Sequence, residues 1–171
     1  MKNSSLFLSL SVAMLLLAAC SSKPAEVESS ETAVVETVPD EPFDIEIVIT
    51  GADNMQFGLN AFEVTEGQRV KLVFNNLGNL SKEAMGHNVV ILKPGTDIMA
   101  FAMEATKYRK NEYIPTDEVY GPTVLHHTKL LGPKESDTIY FTAGAPGEYP
   151  FICSFPAHAS LMQGVMTVKA K

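Results

Sequence analysis

Cysteine is scarce in this chain, with two in 171 residues, at positions 20 and 153. A scaffold stapled by several disulfides is therefore excluded, and packing must hold the fold. The length is ample for one hydrophobic core. No apolar run reaches the roughly 20 residues of a membrane-crossing helix. The run LFLSLSVAMLLLA from Leu6 is too short and badly flanked for a permanent span. Basic residues are outnumbered, 13 against 20 acidic, giving a formal net charge of −7. Nothing in that balance suggests nucleic-acid binding.

The apolar run follows Lys2 and ends in Leu17-Ala18-Ala19-Cys20. Small residues ahead of a cysteine resemble the lipobox of bacterial lipoproteins, in which that cysteine becomes the lipidated first residue of the mature chain. Residues 1–19 are accordingly read as a lipoprotein signal peptide, the plainer alternative being an ordinary secretory signal cleaved nearby. Both readings export the protein. Acylation of Cys20 would leave Cys153 as the sole thiol in an oxidising compartment, where thiols normally pair. A metal is the usual protector of such a thiol. Residues 20–42 then form a tether: Ser21 to Pro42 holds six acidic residues, one Lys, three Pro and no aromatic, the composition of a disordered linker. Its root-mean-square reach is about 25 Å, and about 75 Å fully stretched. Residues 43–171 carry 11 basic and 14 acidic residues, so most of the acidity lies ahead of the folded head.

From Phe43 the texture changes to short β-rich runs separated by Gly, Asn and Pro. DIEIVIT (Asp44 to Thr50) places Ile45, Ile47 and Ile49 on one face, and QRVKLVFNN (Gln68 to Asn76) does the same with Val70, Leu72 and Phe74. HNVVILK (His87 to Lys93) is continuously apolar, as a buried strand requires. VLHHTKLLG, DTIYFTA, GEYPFICS and GVMTVKA complete the series, with turns at GPKES and AGAPGE. One stretch breaks the pattern: TDIMAFAMEATKYRK, from Thr96, has an N-cap candidate followed by an acid and good helix formers. Ile98, Phe101, Ala102 and Ala105 fall on one helical face. The expected fold is all-β, a Greek-key β-sandwich with one inserted helix.

The chemistry concentrates near the C-terminus, where the spacing is Cys153-x4-His158-x3-Met162. A thiolate, an imidazole and a thioether on one loop suit copper, because soft sulfur selects Cu(I) while imidazole tolerates Cu(II). A trigonal His2Cys site with a long axial Met needs a second histidine from elsewhere. His87, in AMGHNVV at the mouth of an apolar strand, is the strongest candidate, and Gly86 before it permits close backbone approach. Singly, the same residues have blander readings: Cys153 a small buried hydrophobe, Met162 core filling, His87 a satisfied core histidine. The adjacent His126 and His127 read as surface residues.

MGHNVV (Met85 to Val90), HTKLLG (His127 to Gly132) and CSFPAHASLMQGVMTV (Cys153 to Val168) closely resemble the azurins, small bacterial blue-copper proteins of the cupredoxin family. DNMQFGLNAFEVTEG (Asp53 to Gly67) and NLSKEAMGHN (Asn79 to Asn88) are similar as well, so the likeness runs from about Ile45 to Lys169. It implies one Cu(I)/Cu(II) ion held by His87, Cys153 and His158, with Met162 axial and the Gly86 carbonyl oxygen a weak fifth contact. Asn88 would hydrogen-bond around the sulfur and tie the ligand segments together, the backbone near Phe155 would donate to the sulfur, and Pro156 would stiffen the loop. Met55, Leu80, Met85, Phe155, Pro156, Ala157 and Leu161 would form an apolar partner-docking patch around the exposed edge of His158.

The chain departs from the family in lacking the N-terminal disulfide, in Val89 where a tryptophan often follows GHN, in Asn76 at a position often histidine, and in Ala157 for a loop glycine. The function implied is single-electron transfer without catalysis, by a monomer anchored through lipid to a bacterial membrane, periplasmic or at the cell surface. Its partners would be redox proteins such as c-type cytochromes or copper/haem oxidoreductases. The alternative is a periplasmic copper storage or delivery protein. A copper oxidase or nitrite reductase would need further histidine clusters, which are missing, and Met162 is a poor ligand for structural zinc.

Overall fold

The computed structural model describes residues 41–171, so the signal peptide at 1–19, Cys20 and nearly all of the tether at 20–42 lie outside the described residues. In chain order the regular elements are β1 (Ile45–Gly51), β2 (Ala61–Thr65), β3 (Arg69–Asn76), α1 (Lys82–Met85), β4 (Val90–Leu92), α2 (Ile98–Ala105), β5 (Val124–His127), β6 (Ser136–Thr142), β7 (Gly147–Ile152) and β8 (Gln163–Lys169). One sheet has the order β1-β3-β6 and the other β2-β8-β7-β4-β5. The pairs β1–β3 and β2–β8 are parallel; the rest are antiparallel. The architecture is a β-sandwich with an inserted helix.

Alternation explains which faces meet. In β1, Ile47 and Ile49 are buried while Glu46 and Val48 point outward. In β3, Val70, Leu72 and Phe74 are fully buried, each such side chain contributing roughly 1.5–3 kcal/mol. Phe57 joins the two sheets, its ring centroid 6.1 Å from Phe74 of β3 and 5.4 Å from Phe151 of β7. The run at β4 buries all of Val90, Ile91 and Leu92, as a strand covered on both faces must.

Three expectations are adjusted. The apolar run at His87 to Lys93 pairs as a strand only over Val90–Leu92, because the backbone of Val89 exchanges hydrogen bonds with Thr128 instead, its N–H donating to the Thr128 hydroxyl at 3.0 Å. The run at Val124 to Gly132 is a strand only to His127; beyond it Leu131 makes a single bridge with His87. The inserted helix is capped by Asp97, whose Oδ1 accepts from Met99 N–H and Ala100 N–H at 3.0 Å each. Thr96 stands one place too early to do this. The α-helix ends at Ala105 and a 3-10 segment carries on over Thr106–Asn111, kinked at Tyr108. Phe101 and Ala105 of α2 are buried, with Ile98 and Ala102 packed partly against the core.

Candidate metal centre

Two chain segments meet at one end of the sandwich. The first, Gly86-His87-Asn88, links α1 to β4. Its backbone is held by reciprocal bonds, His87 N–H donating to Leu131 O at 3.1 Å and Leu131 N–H to His87 O at 2.7 Å. A Cβ at Gly86 would lie 2.7 Å from the Lys82 carbonyl oxygen and 3.1 Å from Leu130 Cδ2, so only glycine fits between α1 and Leu130.

The second segment, Cys153 to Met162, joins β7 to β8 and is folded by its own backbone. Cys153 N–H donates to Met162 O at 3.0 Å, His158 N–H to Phe155 O at 3.1 Å, and Met162 N–H to His158 O at 2.8 Å. Ala157 takes the left-handed conformation at φ 68°, which a glycine would adopt without strain.

These segments bring the donor atoms of His87, Cys153 and His158 within 4.8 Å of one another. His158 Nδ1 lies 3.5 Å and His87 Nδ1 3.9 Å from Cys153 Sγ, and the Gly86 carbonyl oxygen is also 3.9 Å from the sulfur. His87 and Cys153 are 0% exposed and His158 2%. Asn88 Oδ1 accepts from Ser154 N–H at 2.9 Å, and Asn88 Nδ2 donates to Ser154 Oγ at 2.9 Å. The Asn88 side chain therefore ties the two segments together through Ser154, a residue with no signal in the sequence beyond its place directly after the cysteine.

Burial raises the Cys153 thiol to about 12, opposed by backbone N–H bonds from Asn88 and Phe155 that favour the thiolate. Burial lowers His158 to about 4, with the neighbouring His87 adding to the effect. His87 is lowered too, chiefly by burial, against the Ala52 carbonyl and the Asp53 carboxylate. Its Nε2 is buried with no partner within hydrogen-bonding geometry. Both imidazoles are thus neutral near pH 7, their lone pairs free for a metal. Two imidazoles and one buried sulfur, with no carboxylate in the group, fit copper and not a hard cation.

The family description "Copper binding proteins, plastocyanin/azurin family" matches residues 43–169. The chain belongs to that family. Azurin of Pseudomonas aeruginosa (strain PAO1) is 34% identical over 131 residues, covering 71% of this chain and 82% of the relative. Azurin of Bordetella pertussis is 35% identical over 123 residues, covering 69% and 79%. Among solved structures, the dithionite-reduced auracyanin of the photosynthetic bacterium Roseiflexus castenholzii superposes with a TM-score of 0.64 at 36% identity, covering 75% of this chain and 99% of that one. Auracyanin A, a "blue" copper protein of Chloroflexus aurantiacus, gives 0.65 at 26% identity, covering 73% and 98%. Membership of the plastocyanin/azurin family and the His87-Cys153-His158 group together assign one copper ion to this site.

The other expected residues fall as follows. Met162 is fully buried, and a Cβ added to Gly51 would come 2.7 Å from its Cε, so the methyl lies over β1. Asn76 is buried. Its side chain donates to Leu131 O at 3.2 Å and accepts from Gly78 N–H at 2.9 Å. Of the docking residues, Leu80 and Leu161 are 47% and 56% exposed, Ala157 is exposed, and Met55, Met85 and Pro156 are half-buried. Phe155 is buried, so it lies beneath the surface instead of forming it; its ring centroid is 4.7 Å from that of His158. That ring helps to cover His158, which reaches solvent less than the family resemblance implies. His127 is exposed, but His126 is half-buried and stacks on Phe141 at 4.5 Å, so the surface reading holds for one of the pair. Neither joins the donor group.

Proposed function

We propose that this chain is a blue-copper electron carrier that passes single electrons through the His158 side of its metal centre. The observation that carries the reading is the buried donor group itself, two neutral imidazoles converging on one sulfur with at most 2% exposure. Copper bound there supplies a Cu(I)/Cu(II) couple. The chain's part is to hold the donors and exclude water. The loop bonds from Cys153 to Met162 and the Asn88–Ser154 link fix both segments. With the donors buried, no substrate has room to reach them, which favours a carrier over an enzyme.

His158 sits on the loop that presents Pro156, Ala157 and Leu161 outward, so an electron has its shortest exit there. We place the docking of partners on this loop together with Met55, Leu80 and Met85. The partners we favour are redox proteins such as c-type cytochromes or copper/haem oxidoreductases, held briefly and weakly by a monomer. Lipidation at Cys20 and the acidic tether would keep the head at a bacterial membrane, periplasmic or at the cell surface.

The test is the visible and EPR spectrum of the copper-loaded chain beside Cys153→Ser. An intense blue band with narrow copper hyperfine splitting, lost in the variant, is the expected result. Pale copper indifferent to the substitution would overturn the carrier reading and favour storage or delivery.

A further inference from the structure

Behind the donors lies a strained dipeptide that no part of the copper reading uses. Glu112 and Tyr113 are consecutive non-glycine residues in the left-handed region, at φ 54° and 62°, a conformation that persists only where surrounding contacts enforce it. The Glu112 carboxylate has two partners: Oε1 is 3.0 Å from Lys82 Nζ on α1, and Oε2 accepts from Leu130 N–H at 3.0 Å. Lys82 and Leu130 are the two residues that pinch Gly86 from either side, and the next residue, Leu131, bridges His87. The Glu112 carbonyl oxygen also lies 3.4 Å from Asn88 Nδ2. Tyr113 faces the other way, its ring edge-to-face with Phe155 at 5.2 Å, and Phe155 in turn covers His158.

We propose that Glu112–Tyr113 is a positioning clamp that sets the separation of the two ligand-bearing segments, Glu112 holding the Gly86–His87 side and Tyr113 the His158 side. The clamp rests on the copper reading for its purpose, but its geometry can be tested without metal. Glu112 is partly solvent-reached, opening onto a cavity of about 240 Å³ lined by Lys82, Glu83, Arg109, Glu112, Tyr113 and Leu130. Removing its side chain therefore strands no deeply buried charge, and Glu112→Ala is expected to fold. Lys107→Ala is the control, since it deletes an ion pair of similar type, to Glu104 at 2.6 Å, next to α2 and outside these contacts.

In the metal-free full chain, Glu112→Ala should speed amide hydrogen exchange of His87 and Leu131 while leaving the β1–β3 amides unchanged. In the copper-loaded chain it should shift the EPR hyperfine splitting and weaken copper binding about tenfold, the lower end of what loss of an outer-shell partner does. Lys107→Ala should do neither. Tyr113→Leu, which keeps apolar bulk but loses the ring edge, should alter the EPR spectrum without speeding exchange at His87. The clamp is overturned if Glu112→Ala changes exchange uniformly across both sheets, or if it leaves exchange and spectrum as in the parent. It is overturned equally if the control matches its effects. A parent chain that never turns blue would instead defeat the copper reading, leaving the exchange experiment to stand or fall alone.

Discussion

Cys153 and His158 sit 3.5 Å apart in one dry site, and burial drives their protonation in opposite directions, the thiol up to about 12 and the imidazole down to about 4. Near pH 7 the metal-free site therefore holds a protonated thiol and neutral imidazoles, each keeping a single ring N–H. Copper(II) uptake in weak buffer at pH 7 should release about one proton per copper, since ligation requires the thiolate. A pH-indicator dye reads this directly, and release of two would mean that an imidazole had been protonated. Another residue-scale test concerns Met162. Gly51→Ala puts a Cβ 2.7 Å from the Met162 methyl and 3.0 Å from the Phe74 ring. The nearer obstacle is the end of a flexible side chain, so the variant should fold with Met162 displaced, and the visible band of the copper-loaded protein should move. An unmoved band would show that the thioether takes no part in the site.

At the scale of elements, what could be read from the sequence was what repeats locally. The period-two patterns of β1 and β3 name their buried faces directly, and the donors Cys153 and His158 stand out because they lie within ten residues on one loop. Strand ends were harder. β4 and β5 stop short of their apolar runs because Val89 pairs with the Thr128 side chain and backbone, a competition between side chain and ladder that composition does not reveal. β2, with only Phe62 and Val64 inward, offers too short an alternation to be assigned from the pattern. Glu112 and Tyr113 were invisible for another reason: Glu112 reaches Lys82 and Asn88 across 30 and 24 residues of chain, with no motif to announce it. The helix cap gives a test of its own. Asp97→Ala should cost about 1 kcal/mol, roughly 4 °C in Tm, because two N–H groups of α2 lose their acceptor. The copper spectrum should not change, which a thermal melt and an absorption scan would establish together.

For the molecule as a whole, burial of neutral histidines ties stability to pH. His87, His126 and His158 all titrate below their ordinary value near 6.5 in the folded chain, each chiefly through burial. The unfolded chain then binds more protons than the folded one, so stability that is complete above pH 6.5 is lost as pH falls toward the folded values. Glu112, whose carboxyl is pushed up by burial but pulled down further by Leu130 N–H and Lys82, extends the loss below about pH 4.5. Melting curves of the metal-free chain should show Tm declining from pH 7 to pH 4. Copper should raise Tm at pH 7 by mass action, since it binds the folded state.

The pairing of β2 with β8 has a consequence in time. Ala61 aligns with Val165, and β8 lies between β2 and β7 in the larger sheet although five strands separate it from β2 in chain order. That sheet lacks its interior member until β8 has returned to the distant β2, and pairing strands so far apart in sequence is slow. β8 is also the strand that anchors the Cys153–Met162 loop at its far end. His87 lies just ahead of β4 and Cys153 just after β7, so the three donors come together only once those strands have paired, and the complete metal-binding group is a product of folding.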